Sequence, residues 1–306
     1  MTDRMTDAEL LDFLQGRYPF GDLGGARLRP LPSSYTHRFW RLQTRERDYV
    51  IKEYFPGLEN NPLYPTLPQE EATALTLLER HRLAPRLECF LDSPAGSPLV
   101  IYGYERGSEA EIDVRDAALL LGRFAALELA PEEVRMVPSG YQQVLAHADA
   151  ILEKIPDSRR AANLKRLRPH DSSIMVSAAA QHILIHRSLC LGTVQMTAAG
   201  PTLIDWQYAG LGDPVEDIAC FLSPGLLTLY GLKPLVLYAE DLFLEHYPDR
   251  AIVDRFLAER SAYHWRLAAY CLFRQETLTH ENAPASRAYA RALEEEVDLL
   301  LRLRGK

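Results

Sequence analysis

Cations are in short supply. Lysine and arginine total 34 against 42 aspartates and glutamates, a formal net charge of −8 over 306 residues. That balance excludes a general nucleic-acid binder, because neutralising phosphates takes clustered Lys and Arg. Cysteine is also sparse, with four residues at Cys89, Cys190, Cys220 and Cys271. None forms a C-x-x-C pair, which argues against a zinc site or a thiol redox motif, and the density is too low for a secreted disulfide framework. No stretch of about 20 apolar residues is free of charge or proline, so no membrane span is expected. The opening MTDRMTDAELLDFLQ carries acids where a secretory signal carries bases. What remains is ordinary globular material, 47% hydrophobic and 25% charged. The expectation is a soluble, cytoplasmic chain of two domains or one large one, with no nucleic-acid or membrane partner.

Hydrophobic periodicity orders the chain. Thr6-Asp7-Ala8-Glu9 fits a capping box, with Leu10, Leu11 and Leu14 following on one side of a short helix. Residues 27–54 alternate as strands do, with Phe39, Trp40 and Leu42 in one run and Tyr49-Val50-Ile51 in another. The polar residues 44–48 between them make a turn. A loop rich in Pro and Asn then leads to a helix over 69–81, whose Ala72, Ala74, Leu75 and Leu78 suit packing on a sheet. Two more strands follow at 86–91 and 99–104.

After Gly107 the pattern becomes helical, over 117–129, 140–153, 235–246, 254–279 and 285–304. The interruption at 182–208, with apolar runs at 182–185 and 202–204, suits short buried strands inside a helical lobe. A mixed first domain, 1–105, and a helical second domain, 106–306, are therefore expected.

Chemistry concentrates in two stretches. The first is Ile185-His186-Arg187-Ser188-Leu189-Cys190-Leu191-Gly192-Thr193. The second contains Ile204-Asp205-Trp206, Gly212-Asp213-Pro214 and Asp217-Ile218-Ala219. A carboxylate at the end of an apolar strand is a natural oxygen ligand for Mg²⁺ beside nucleotide phosphates. Together these stretches resemble the catalytic segment of the aminoglycoside phosphotransferase and choline kinase family. Its pattern is an H-G-D-x-x-x-x-N loop, then a strand ending I-D-W/F/Y, then G-D-P-x-x-D.

The resemblance implies an α+β, bilobal protein-kinase-like fold, with an antiparallel-sheet N-lobe and a mainly helical C-lobe. It further implies transfer of the γ-phosphoryl group of ATP or GTP, with Mg²⁺, to a hydroxyl of a small molecule. On this pattern Lys52, in Val50-Ile51-Lys52, is the strand lysine that holds phosphates. Glu71 is its ion-pair partner on the following helix, with Glu70 as the fallback. Ile101 and Tyr102, in Val100-Ile101-Tyr102-Gly103-Tyr104, fall on the hinge that contacts adenine. Asp205 is the metal aspartate and Asp217 the brace of the catalytic loop. Asp213 caps the helix that begins near Pro214.

The departures fall on the reacting end. The position of the family's base aspartate is Ser188, and a serine hydroxyl is not ionised near neutral pH. The position of the metal-binding asparagine is Thr193, which offers one hydroxyl oxygen. Arg187 replaces a small residue and adds charge and bulk where an acceptor approaches. The glycine-rich loop equivalent, 32–41, contains no glycine, although Ser33, Ser34 and Thr36 offer donors to phosphate.

The leading expectation is thus a degenerate kinase that retains nucleotide binding with weak or no transfer activity. The alternatives are an active ATP-dependent small-molecule kinase, and a scaffold that binds a ligand or a protein without nucleotide. The remaining features have plainer readings. Tyr263, Trp265 and Tyr270 read as core, with cation–π binding of a choline-like acceptor as the alternative. His186 and Cys190 read as packing residues. Glu294-Glu295-Glu296 reads as a solvated helix face.

Overall fold

The computed structural model describes residues 5–31, 37–107, 112–170, 181–198 and 200–305. Ser33, Ser34 and Thr36 lie outside them. The chain forms two compact units, Met1–Glu111 with Gln195–Tyr208, and Ile112–Val194 with Ala209–Lys306.

The first unit is built on an antiparallel sheet of five strands, β1 (Arg27–Leu31), β2 (His37–Gln43), β3 (Asp48–Tyr54), β4 (Leu87–Asp92) and β5 (Pro98–Gly103), in the order β1-β2-β3-β5-β4. Two-residue alternation decides what each face does. Register sets Trp40 opposite Ile51 and Ile51 opposite Ile101, so these apolar side chains share one face. With Leu42, Tyr49 and Leu99 they bury Leu10 and Leu14 of α1 (Asp7–Leu14). The capping box forms as the sequence predicts, with the Glu9 backbone N–H donating to Thr6 and the Thr6 N–H donating back to Glu9.

The other face carries Phe39 opposite Lys52 and Arg41 opposite Val50, with Val100 and Tyr102 continuing each row. Between β3 and β4 lies α2 (Pro68–Glu79), with Pro68 in its first turn. Proline suits that position because its missing N–H would have no helical partner. Ala72, Ala74, Leu75 and Leu78 are buried as expected, and so are Glu70 and Glu71. The paired strands Val194–Thr197 and Gly200–Leu203 belong to this unit from Gln195 onward, tied to it by the Leu203 N–H donating to the Leu83 carbonyl at 2.9 Å.

The second unit is helical. It comprises α3 (Val114–Ala125), α4 (Tyr141–Leu152), α5 (Arg159–Lys165), α6 (Val215–Leu222), α7 (Pro224–Leu229), α8 (Leu237–His246), α9 (Arg250–Thr277) and α10 (Ala283–Arg304). Side-chain oxygens of Asp113, Ser158, Ser223, Asp249 and Asn282 accept from first-turn N–H groups of α3, α5, α7, α9 and α10. The Asp249 cap starts α9 four residues before the predicted 254. Tyr263, Trp265 and Tyr270 are buried in this helix, so they are core and are not exposed to a cationic ligand.

One expectation about charge is overturned. Glu296 is fully buried, because one turn of α10 faces α7 and α9 instead of water. Its carboxylate accepts from Ser223, from the Gly225 N–H at 3.0 Å and meets His264 at 2.9 Å.

A short antiparallel pair, Ile183–Ile185 with Gly210–Gly212, leads into the segment of interest. A Cβ on Gly212 would lie 2.6 Å from both Ile185 and Val137 side-chain atoms, so only glycine lets the strands approach this closely. Among the described residues no helix is long and apolar enough to cross a membrane.

Candidate functional site

Lys52 sits at the centre of β3 on the face opposite α1. Its ammonium lies 3.0 Å from Glu71 and 2.6 Å from Asp205. Glu71 comes from the first turn of α2, where the helix dipole favours an anion. The Trp206 backbone N–H donates to the same carboxylate. Asp205 follows the hairpin on a turn with a left-handed backbone (φ 68°). The predicted pair of Lys52 with Glu71 therefore forms, with Glu70 not used for it, and Asp205 completes a triad.

Lys52 is completely buried, whereas Asp205 keeps 19% of its side chain exposed. Burial alone would disfavour the ammonium, but the Asp205 and Glu71 carboxylates outweigh it and hold Lys52 above its usual range. Burial pushes Glu71 up to about 7, against the pull of Lys52 and with help from the Asp205 charge. One cation thus faces two carboxylates, leaving a net charge of about −1 when all three are ionised.

The surplus charge is a test of fit for Mg²⁺. Among the described residues no cluster of three or more His, Cys, Asp or Glu could hold a metal. A Mg²⁺ held by one carboxylate, substrate phosphates and water needs no such cluster. Within the triad Asp205, 19% exposed, is the carboxylate that could join phosphate oxygens and water around a Mg²⁺.

Around the triad stand residues that the sequence reading passed over. His37 is buried on β2, with its ring edge-on to Phe39 at 4.2 Å and hydrogen-bonded to Gln207. Burial and then the Lys52 charge hold its pKa down at about 3, so it is neutral. The Phe39 and Tyr54 rings lie 5.4 and 5.1 Å from the Lys52 ammonium. Period-two alternation could have placed His37 and Phe39 on the Lys52 face. Nothing in the sequence marked Gln207. Tyr102 shares this face, and burial pushes its phenol upward. Ile101 does not: its side chain is part of the α1-facing core and its backbone lies between β3 and β4. Alternation along β5 is the reason, since adjacent residues cannot face the same way.

In the second unit the loop after Ile185 is fixed from beneath. The Asp217 carboxylate accepts from the backbone N–H of His186 at 3.0 Å and of Arg187 at 2.7 Å. Arg187 has φ 69° and its side chain turns inward. Its guanidinium pairs with Glu216 at 2.9 Å, and Arg266 reaches the same carboxylate at 2.8 Å. The expectation that Arg187 projects toward an acceptor is therefore corrected: a buried counter-ion draws it into the helical core.

Ser188 is 3% exposed. Its hydroxyl lies 3.2 Å from His186 Nδ1, and its backbone N–H points at the same nitrogen from 3.4 Å. A backbone N–H only donates, so Nδ1 is the acceptor and the ring proton is on Nε2. The Thr193 hydroxyl accepts from the Cys190 N–H at 3.0 Å and lies 3.1 Å from the Cys190 carbonyl, closing a single helical turn. Asp213 accepts from the Val215 N–H at 3.0 Å and pairs with Arg255 at 2.9 Å. That bond to Val215 sets the carboxylate at the start of α6, two residues before the helix, where the sequence predicts a cap.

Solved structures share this architecture at low sequence identity. Choline kinase LicA from Streptococcus pneumoniae matches with a TM-score of 0.61 and 16% identity, covering 89% of this chain and 93% of its own. An ethanolamine kinase from Plasmodium vivax matches at 0.59 and 15%, over 88% and 81%. A spectinomycin phosphotransferase, solved with ADP and spectinomycin, matches at 0.57 and 13%, over 96% and 98%. These likenesses establish the protein-kinase-like fold. A comparison with curated proteins found no match. The model of the phosphotransferase enzyme family matches residues 27–251, well over half of the chain, and the chain belongs to that family.

Proposed function

We propose that this member of the family binds a purine nucleotide with Mg²⁺ through Lys52, Glu71 and Asp205, and transfers its phosphoryl group weakly or not at all. The observation that carries this reading is an asymmetry. The phosphate-side triad is complete, while the position of the base aspartate holds Ser188, whose hydroxyl already bonds His186 at 3.2 Å.

In this reading Lys52 holds the phosphates, Glu71 fixes Lys52, and Asp205 supplies the carboxylate for Mg²⁺. Tyr102 borders the base. A neutral serine cannot take the acceptor's proton as a carboxylate does, and such general-base help typically contributes about 10²–10⁴-fold. Thr193 supports the same reading, because its hydroxyl is engaged within its own turn. The relatives named for choline, ethanolamine and spectinomycin point to a small molecule bearing a hydroxyl as the second ligand. A cytoplasmic location accords with nucleotide use.

The test is a thermal shift with ATP, with and without Mg²⁺, followed by turnover against sugars, aminoglycosides and choline. The expected result is a Mg²⁺-dependent shift with turnover far below about 1 s⁻¹, the low end of ordinary enzyme rates. Turnover at or above that rate would establish the second reading, an active small-molecule kinase, which the intact triad favours. No shift with any nucleotide would leave the scaffold reading.

A further inference from the structure

We propose that Arg187 is a positioning residue: its buried pair with Glu216 holds the left-handed turn that brings Ser188 back onto His186. The inference rests on the reading of Ser188 as the position of the base, and it names what sets the direction of that residue.

The argument starts from the backbone. Arg187 has φ 69°. Glycine takes that region freely, whereas a residue with a Cβ meets a steric cost there. The turn at this residue sets the Ser188 N–H and hydroxyl 3.4 and 3.2 Å from His186 Nδ1, with only Arg187 between the two residues. A non-glycine residue persists in such a conformation only where its surroundings hold it.

Two of the contacts that hold it are open to any residue but proline. The Arg187 N–H donates to Asp217 at 2.7 Å, and its carbonyl accepts from Cys220 Sγ at 3.2 Å. The third is particular to arginine. Its Nε donates to Glu216 at 2.9 Å, and its stem runs against Gly210, where a Cβ would lie 3.3 Å from Arg187 Cδ. Arg266 of α9 reaches the same carboxylate at 2.8 Å and donates to the Pro138 carbonyl at 3.3 Å. All three charged side chains are buried, where water screens a pair least. Glu216 and Asp217 are adjacent on α6, so the side chain and the backbone of Arg187 are anchored side by side on one helix. An attachment at two points fixes rotation about the Arg187 backbone, which one point does not.

Arg187 thus directs Ser188 from within the helical unit. Removing its guanidinium leaves Glu216 with Arg266, so no buried anion is stranded and a substitution at 187 reads the turn itself. Glycine at this position loses the pair and keeps the turn, whereas alanine loses both. Where φ is negative, glycine is the weaker of the two. The opposite order marks a left-handed turn that has to be held.

Two readouts on the full chain need no nucleotide, so their failure is separate from a failure of the Mg·ATP thermal shift. Diethyl pyrocarbonate attacks an unprotonated imidazole nitrogen, and Nδ1 is the nitrogen that Ser188 meets. Labelling of His186, read by peptide mass spectrometry, therefore reports the turn. Hydrogen exchange over residues 186–190 reports the backbone, and a melting temperature is taken for each variant. Arg187→Ala is expected to raise labelling and exchange by roughly 5- to 30-fold, the scale of the left-handed cost for one residue. Arg187→Gly is expected to stay within about twofold of the parent chain, because glycine carries no such cost. Arg187→Met keeps the stem without the charge and is expected to behave as Arg187→Ala does. Should Arg187→Ala fail to fold, Arg187→Met carries the test. Protection equal to the parent's in Arg187→Ala or Arg187→Met would overturn the assignment, because the turn would then hold without the ion pair. Arg187→Gly labelled as heavily as Arg187→Ala would also overturn it, leaving Arg187 a stabilising residue only.

Discussion

The Lys52 ammonium and the Asp205 carboxylate lie 2.6 Å apart, although 153 positions separate them in the chain. The pair is the point at which the hairpin and the sheet of the first unit become one electrostatic object. Glu71 supplies a second carboxylate from α2, so three elements share a single buried cation. Burying charge in this way is costly unless each member keeps its partners. The triad is therefore a place where substitutions separate architecture from ligand chemistry.

Removing the cation and removing the more exposed anion, Asp205, should have opposite signatures. Lys52→Met leaves two carboxylates facing each other in a buried site. The expected loss of stability is about 3–5 kcal/mol, the range for breaking a buried pair by deleting one partner. Asp205→Asn leaves Lys52 paired with Glu71 and neutral overall. It is expected to melt within a few degrees of the parent while losing the Mg²⁺-dependent part of the ATP shift. Thermal melts with and without Mg·ATP check both. An Asp205→Asn protein that keeps the full Mg²⁺-dependent shift would remove Asp205 from metal binding.

Proton binding at Glu71 gives a second, ligand-free signature. Its pKa is raised from 4.5 to about 7 in the folded chain, with burial as the largest cause. A carboxyl that binds its proton more tightly when folded contributes stability that is fully present below pH 4.5. That contribution is lost as pH rises from 4.5 through about 7. The stability of the parent chain relative to Glu71→Gln should therefore fall across that window and level off above it. Urea titrations at several pH values measure the difference, in which other titrating groups largely cancel. A difference that rises with pH would show that Lys52 dominates burial and that the carboxylate is ionised throughout.

Much of this site is legible in the sequence, for physical reasons that differ between residues. Lys52 and Asp205 end or interrupt apolar runs, and an ionisable group in such a place needs a partner. Glu71 lies in the first turn of a helix whose start Pro68 marks. Asp213 precedes Pro214 as helix caps often do, and the Val215 N–H donates to its carboxylate. Side-chain direction inside a paired strand is less legible. Ile101 and Tyr102 are neighbours in the hinge motif, yet alternation sends one into the α1 core and the other toward Lys52.

Buried charge is hidden for a different reason. Arg187 and Glu296 look solvated in one dimension because their partners, Glu216 with Arg266 and Ser223 with His264, come from remote segments.

Substitution at Ser188 tests the proposed limit on chemistry. Ser188→Asp restores a carboxylate at the loop position where the family pattern has one. If the phosphate-side triad is functional, phosphoryl transfer to a suitable alcohol should rise by about 10²-fold or more. Ser188→Ala should leave both Mg·ATP binding and any residual turnover close to those of the parent chain, since the hydroxyl is engaged by His186. Steady-state turnover with a panel of hydroxyl acceptors is the measurement. A large loss of turnover in Ser188→Ala would mean that the serine itself takes part in transfer.

Glu296 anchors the last helix to the two it crosses. Its carboxylate takes the Ser223 hydroxyl and the Gly225 N–H at the start of α7, and meets the His264 ring of α9 at 2.9 Å. Ser223 is also the cap of α7, accepting from the Leu226 N–H at 2.9 Å, so the carboxylate holds the cap in place. Glu296→Ala would strand three buried polar groups and open a cavity beside Gly225, where a Cβ would already lie 2.8 Å from Glu296. The expected destabilisation is about 3–5 kcal/mol, larger than for a solvated glutamate, whose replacement typically changes stability by less than about 0.5 kcal/mol. Glu296→Gln keeps the shape and can still accept from Ser223 and Gly225, so it should recover more than half of that loss. Chemical denaturation of the two variants measures the difference. A Glu296→Ala protein as stable as its parent would return this residue to the solvated face that its sequence suggests.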